Sequence, residues 1–312
     1  MALNYAQVWE PELLEILMQG TLTSPFVTSN VKWLDAKTFH FTQMSTSGYK
    51  NHSRNGGWNK GNYTQKDVPF TLTHDRDVSF LVDKADVDET NATASIQNIS
   101  KTFEKTQVVP ETDALFFSKV AQAAQKTDGY HGSTETSAYT KAKAFGMLKD
   151  ILAKGKLRRY KANGSLLMYV RSEIMDALEQ STEFTRKIEM TQIAEGGLGI
   201  ETRVTDIDGV PIMEVIDDER FYDAFNWEPE NGGFEPQKKV TAGSGVEAVT
   251  GAHKINVLVA CGQTCKTVPK ISSIYYFAPG AHTKGDGYLY QNRSFSDVFV
   301  FPNGRDGKID SI

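Results

Sequence analysis

Two cysteines, Cys261 and Cys265, stand four residues apart in CGQTC, a spacing close to those that hold metals or redox disulfides. In a strand running through both, their Cα atoms would lie roughly 13 Å apart, too far to bridge. A bend at Gly262 could close that gap. Zinc would need two more ligands, and the nearby His253 and His282 fall in no metal spacing. The pair reads as buried structural cysteine. Asp206-Ile207-Asp208-Gly209 opens like a calcium loop but lacks the later ligands and the closing glutamate, so a β-turn is expected. Gly196-Gly197-Leu198-Gly199 lacks both the GxGxxG spacing and a following helix. No GxSxG, HExxH or GxxxxGK[ST] occurs, and the six histidines are scattered. The sequence therefore predicts no catalytic, cofactor-binding or metal site, and no enzyme.

What the chain does offer is the chemistry of contact. Ser47 to Lys66 is a polar, glycine-rich, basic stretch carrying Lys50, Arg54, Trp58, Lys60 and Lys66. It is too long for a tight turn, and long loops tend to be functional or mobile. Arginine and tryptophan are residue types that anchor interfaces. A solvated loop and a contact with a second subunit both fit these residues.

The elements that must position this stretch follow from periodicity. Val31, Trp33, Phe39 and Phe41 share one parity before it, and Val68, Phe70 and Leu72 share one after it, as in two half-buried strands. Val78, Phe80 and Val82 continue the pattern. Asp86 and Glu89 are spaced as a capping pair. Ile96, Ile99 and Phe103, then Leu115, Phe116, Val120 and Ala123, mark helical faces over 90–107 and 110–126, interrupted or kinked at Pro110. Glu111 and Asp113 suit the positive end of the helix dipole. A helix over 137–154, a buried strand at Ser165–Val170, a helix capped by Ser172 and a hairpin about Asp208-Gly209 follow. Residues 226–251 read as an exposed loop, and strands return from Lys254. At the start, Val8, Leu13, Ile16 and Leu17 lie on one helical stripe, with Gly20 as its C-cap.

The whole-chain numbers bound these readings. With 312 residues and 39% hydrophobic content the chain can bury a substantial core. A net charge of −5 argues against a dedicated nucleic-acid binder. No apolar run approaches a membrane span, the first residues lack the basic start of a secretory signal, and two cysteines suit a reducing compartment.

In their order, the stretches FTLTHDRDVSFLVDKADVDET, VVPETDALFFSKVA, GSLLMYVRSEIMDALEQS, DGVPIMEV, HKINVLVAC and YLYQNRSFSDVFVFPNGRDGKI resemble tailed-bacteriophage major capsid proteins of the Hong Kong 97-type coat fold. The resemblance spans most of the chain, and its specificity lies in the order. It implies an α+β fold with an N-terminal arm (1–27), an extended loop hairpin (28–85), a peripheral domain with a long spine helix (86–130), an axial domain (131–252) and a return to the peripheral domain (253–312). It implies a shell of pentamers and hexamers enclosing double-stranded DNA in a virion, assembled in the host cytoplasm without membrane or sequence-specific DNA binding. A portal protein would be a partner. The absence of a long scaffold-type extension before the arm suggests a separate scaffolding protein. An encapsulin-like compartment is the alternative within the fold, and a soluble enzyme or binding domain the alternative outside it. On this resemblance Lys50, Arg54, Trp58 and Lys60 become intersubunit contacts. Some members cross-link a loop lysine to a neighbour's asparagine, but no asparagine here can be matched residue by residue.

Overall fold

A computed structural model describes residues 20–28, 31, 33–52, 54, 56–89, 96–126, 140–154, 157–161, 164–181, 188–193, 200–241 and 250–302. The stripe at 6–19 and the glycines at 196–199 lie outside the described residues. Strands β1 (Thr38–Thr46) and β2 (Tyr63–Thr71) form an antiparallel two-stranded ribbon, with Phe39 opposite Phe70 and Phe41 opposite Val68. Strand β3 (Asp75–Asp83) leaves the ribbon and pairs with β12 (Gly287–Val300), which also pairs with β11 (Cys265–Phe277), giving the order β11-β12-β3. A second sheet has the order β10-β4-β7-β6-β5, from β4 (Leu166–Arg171), β5 (Ile188–Ile193), β6 (Ile200–Ile207), β7 (Val210–Val215) and β10 (Val257–Cys261).

The helical run begins earlier than its capping pair suggested. Helix α1 (Lys84–Glu89) starts one turn upstream, where the Asp83 carboxylate accepts the Ala85 N–H at 2.8 Å. Asp86 sits inside that helix. Helix α2 (Ile96–Phe103) then runs through a π-helical turn, Glu104–Val108, into α3 (Val109–Gln125). The expected interruption at Pro110 is this turn. Proline has no N–H to donate and its ring crowds the carbonyl four residues back, so the helix widens just before it. The helix expected over 137–154 is described as α4 (Ala144–Lys154), followed by the short α5 (Arg158–Lys161). Ser172 opens α6 (Ser172–Glu179) without capping it, and its hydroxyl instead donates to the Val215 carbonyl.

Packing explains why the apolar runs look as they do. In β4, Leu166, Met168 and Val170 face α4 and α6, while Tyr169 faces α3, so both sides of the strand are buried. Helix α3 buries Leu115, Phe116, Phe117 and Val120 against Tyr169, Leu258 and Ala260 of one sheet and Val298 and Val300 of the other. It is the element that ties the two sheets together. The β6–β7 turn holds Asp208 at φ 52° and Gly209 at φ 76°, the paired positive values of a type I′ hairpin. The described part of the stretch expected as an exposed loop, 226–241, is partly ordered. Strands β8 (Phe225–Asn226) and β9 (Glu235–Pro236) pair there, and Phe225, Trp227 and Phe234 pack ring on ring.

Candidate intersubunit interface

The ribbon is anchored at one end only. At its base Phe39 is buried among Trp33, Phe70, Phe299 and Phe301, with ring centroids 5.1–6.3 Å away. Lys270 stands 3.7 Å above the Trp33 ring, a cation–π contact that fixes the approach to the ribbon. Beyond Phe41 the burial ends: β1 from Thr42 to Thr46 and β2 from Tyr63 to Asp67 are almost wholly exposed on both faces. Nine residues of strand carry the tip about 30 Å from the base. A lone two-stranded sheet is marginal in water. Among the described residues nothing packs on the ribbon's outer half to stabilise it.

All four tip residues singled out from the sequence, Lys50, Arg54, Trp58 and Lys60, are exposed. Trp58 retains 95% of its surface. The structure brings Lys50 and Lys60 onto facing legs of the tip, because the Asn59 side chain donates to the Asn51 carbonyl at 2.9 Å and the Lys50 carbonyl at 3.5 Å. Ser47 and Asn62 close the legs, Ser47 N–H donating to the Asn62 carbonyl and Asn62 N–H to the Ser47 hydroxyl. The tip therefore has its own local order. His52 and Trp58 lie with centroids 6.3 Å apart. Sequence reading missed Met44, Tyr49 and Tyr63, which are also exposed beside the cations. For Met44 and Tyr63 the available signal was their strand parity, opposite to that of Phe39 and Phe70, whereas Tyr49 lies outside the strands. The tip is thus an exposed apolar and cationic surface, the composition of an interface core with a charged rim.

Two polar clusters hold the base. Glu111 of α3 accepts from Arg76 Nε at 2.9 Å and contacts His74 Nε2 at 3.1 Å, while the Arg76 guanidinium also donates to the carbonyls of Trp227 and Gly233. Asp297 of β12 accepts the Thr73 N–H and hydroxyl at 2.9 and 2.8 Å, with Lys119 Nζ at 3.2 Å. These bonds tie the ribbon exit to α3 and to β8–β9.

A third cluster was not foreseen. Asp113, expected as a helix-dipole partner, is fully buried and ion-paired to the equally buried Arg220 at 2.9 Å. Its carboxylate also accepts the Leu22 and Thr23 N–H groups and the Thr23 hydroxyl, the last at 2.7 Å. Tyr169 donates its hydroxyl to the Leu22 carbonyl. Burial pushes the Asp113 carboxyl upward, and Arg220, Thr23 and Leu22 pull against that. The Tyr169 phenol is held well above its usual range by burial and by the Asp113 charge. The arrangement clamps the 20–28 strap onto α3.

The remaining candidates resolve as structure. Cys261 ends β10 and Cys265 begins β11, so the CGQTC turn passes the chain from one sheet to the other, with Gly262 N–H donating to the Ser165 carbonyl. Both thiols are free and buried, and burial pushes Cys265 up to about 12. Asp208 occupies the type I′ turn and pairs with Lys149 at 3.6 Å. Among the described residues no three of His, Cys, Asp and Glu gather as a metal set, and no helix is long and apolar enough to cross a membrane.

No family model and no curated protein matches the chain. Solved structures do. The mature capsid of bacteriophage PhiM1 is similar with a TM-score of 0.60, 10% identity, and coverage of 98% of this chain and 89% of that one. A structure from Mycobacterium phage Che8 gives 0.55 at 12% identity, covering 94% and 92%. The capsid of cyanophage P-SCSP1u gives 0.53 at 13% identity, covering 93% and 88%. The chain has the α+β fold of phage capsid proteins over nearly its whole length.

Proposed function

We propose that this chain is a major capsid protein whose copies assemble as pentamers and hexamers into the icosahedral head of a tailed phage, enclosing double-stranded DNA. The observation that carries this reading is the ribbon: a capsid-fold subunit projects a ribbon about 30 Å long whose outer half, 42–46 and 63–67, is almost wholly exposed on both faces. Identical chains in a closed shell meet in several similar but unequal contacts, and a long arm held only at its base can absorb those differences. The Hong Kong 97-type division into arm (1–27), extended hairpin (28–85), spine segment (86–130), axial segment (131–252) and peripheral return (253–312) is supported by the ribbon, the α2–α3 run and a five-stranded sheet of which β4 to β7 fall in 131–252 and β10 comes from the return. Lys50, Arg54, Trp58 and Lys60 make the tip's contacts with a neighbouring subunit. The role is structural, with no cofactor. The net charge of −5 suits a wall that holds packed DNA without gripping it. A separate scaffolding protein and a portal complete the partners, and the place of action is the virion, after assembly in the host cytoplasm.

Expression with and without a scaffolding protein, followed by sedimentation and negative-stain microscopy, tests this. Closed shells or rings of five and six are expected. A monomer at every concentration and salt, with scaffold present, refutes it.

A further inference from the structure

Sheets guard their open edges with charges, prolines or covering segments, because a bare edge is a template for another strand. Of the four edge strands of the ribbon and the three-stranded sheet, two follow that rule. β2 carries Lys66, Asp67 and Pro69, and β3 carries Asp75, Arg76, Asp77 and Asp83. Two do not. β1 (TFHFTQMST) has neither proline nor a Lys, Arg, Asp or Glu; among the described residues it pairs with β2, and beyond the Trp33 bridge to Phe39 nothing lies on its other edge. The outer half of β11, Ile271 to Phe277 (ISSIYYF), is equally free of charge and proline and, among the described residues, pairs only with β12.

The inner part of the β11 edge shows what such an edge accepts. Val27 pairs in parallel with Thr267, and the Thr28 N–H donates to the Thr267 carbonyl at 2.9 Å. Trp33 then covers Lys270. From Ser272 onward no described segment lies on the edge, and Ile274, Tyr275 and Tyr276 are half exposed. An uncharged, proline-free run of seven residues, five of them isoleucine or aromatic, on an open edge is the signature of self-association. In the ribbon, Met44 is 63% exposed on the other unguarded strand. Among the described residues β1 and β11 of one subunit do not pair with each other.

We propose that the outer edge of β1 in one copy adds as a strand to the open β11 edge of a neighbouring copy. The proposal rests on the assembly reading above. It joins a two-stranded ribbon, marginal alone, to a three-stranded sheet and closes both unguarded edges with one contact. The guarded strands β2 and β3 are left at the margins of the joined sheet, where charges stop further addition.

Hydrogen exchange of the wild-type chain, as dissociated subunit and as assembled particle, reads the pairing directly. Amides in 42–46 and 271–277 should both exchange at least about tenfold more slowly in particles, as newly bonded strands do. A second measurement names the partners: differently tagged chains carrying Met44→Cys or Ile274→Cys are mixed and assembled, and oxidation should link the two tags. Cys261 and Cys265 are buried and do not compete. Ile274→Lys, which places a guard on an exposed position, should leave the subunit's melt unchanged and block closure. Particles in which either segment exchanges as in the free subunit overturn the pairing while leaving assembly intact. So do disulfides confined to Ile274→Cys chains, which would mean that β11 pairs with β11. A chain that stays monomeric throughout overturns the assembly reading together with the pairing.

Discussion

Replacing Asp113 by alanine removes the acceptor for Arg220 Nη1, for the Leu22 and Thr23 N–H groups and for the Thr23 hydroxyl at once. Arg220 has no exposed surface, so its charge cannot turn to water. It keeps Asp217, at 2.8 Å, as its one remaining carboxylate among these contacts. Breaking a buried pair from one side costs about 3–5 kcal/mol. Asp217 holds the figure near the lower end, and the orphaned strap donors push it upward by about 1–3 kcal/mol if they stay dry. An expected loss of about 4 kcal/mol is a large part of the stability of a single domain. Urea unfolding of the dissociated subunit measures it, with the slope checked for a change in the unfolded state. Limited proteolysis should also cut the 20–28 strap sooner. The double variant Asp113→Leu/Arg220→Met should recover much of the loss, because no unpaired charge is left inside. A single-variant loss under about 1 kcal/mol, or a double variant worse than the single, would refute the view that the clamp depends on mutual charge compensation.

Phe116→Ala should cost about 3–5 kcal/mol in the same assay, since the ring has no exposed surface and sits 4.5 Å from Phe26; a change within roughly 0.5 kcal/mol would mean the site collapses freely. Deleting 48–63 should leave the subunit's thermal melt unchanged and impair shell closure in a sedimentation assay, and raised salt should weaken the wild-type contact if exposed charges contribute; normal shells from the deleted chain would remove the tip from the interface. Cys265, with its thiol pushed up to about 12, should resist alkylation at pH 8 until the chain is unfolded, and labelling in the native state would contradict its burial. Gly209→Val should destabilise the β6–β7 hairpin by about 1–3 kcal/mol, because a β-branched residue is strained at φ 76°; an unchanged melt would show that the turn can switch type.

Much of this protein is determined locally and is legible in its residues. Parity alone places Phe39, Phe70 and Leu72 in one cluster, since side chains alternate across a strand whatever surrounds it. Asp208-Gly209 specifies its turn because few residue types tolerate positive φ in succession. The spacing of Leu115, Phe116 and Val120 marks the buried stripe of α3 for the same kind of reason. The exposed tip, too, could be read from residues that had no apolar face to bury. What only the tertiary structure decided lies in contacts between distant residues. Asp113 reads as a dipole partner at a helix start, and nothing local distinguishes it from Glu111. It is buried because Arg220, 107 residues later, and the strap at Leu22 and Thr23 meet it. Residues 226–236, polar in composition, are held by Trp227, Phe234 and the reach of Arg76 across 151 residues. Edges likewise have no local signature: a strand's own residues say whether it is guarded, but only the sheet order leaves the outer halves of β1 and β11 without a neighbour among the described residues. Local preferences act through a residue's immediate backbone and can be read from a short window, whereas burial, charge compensation and edge exposure depend on which remote segments the fold brings alongside.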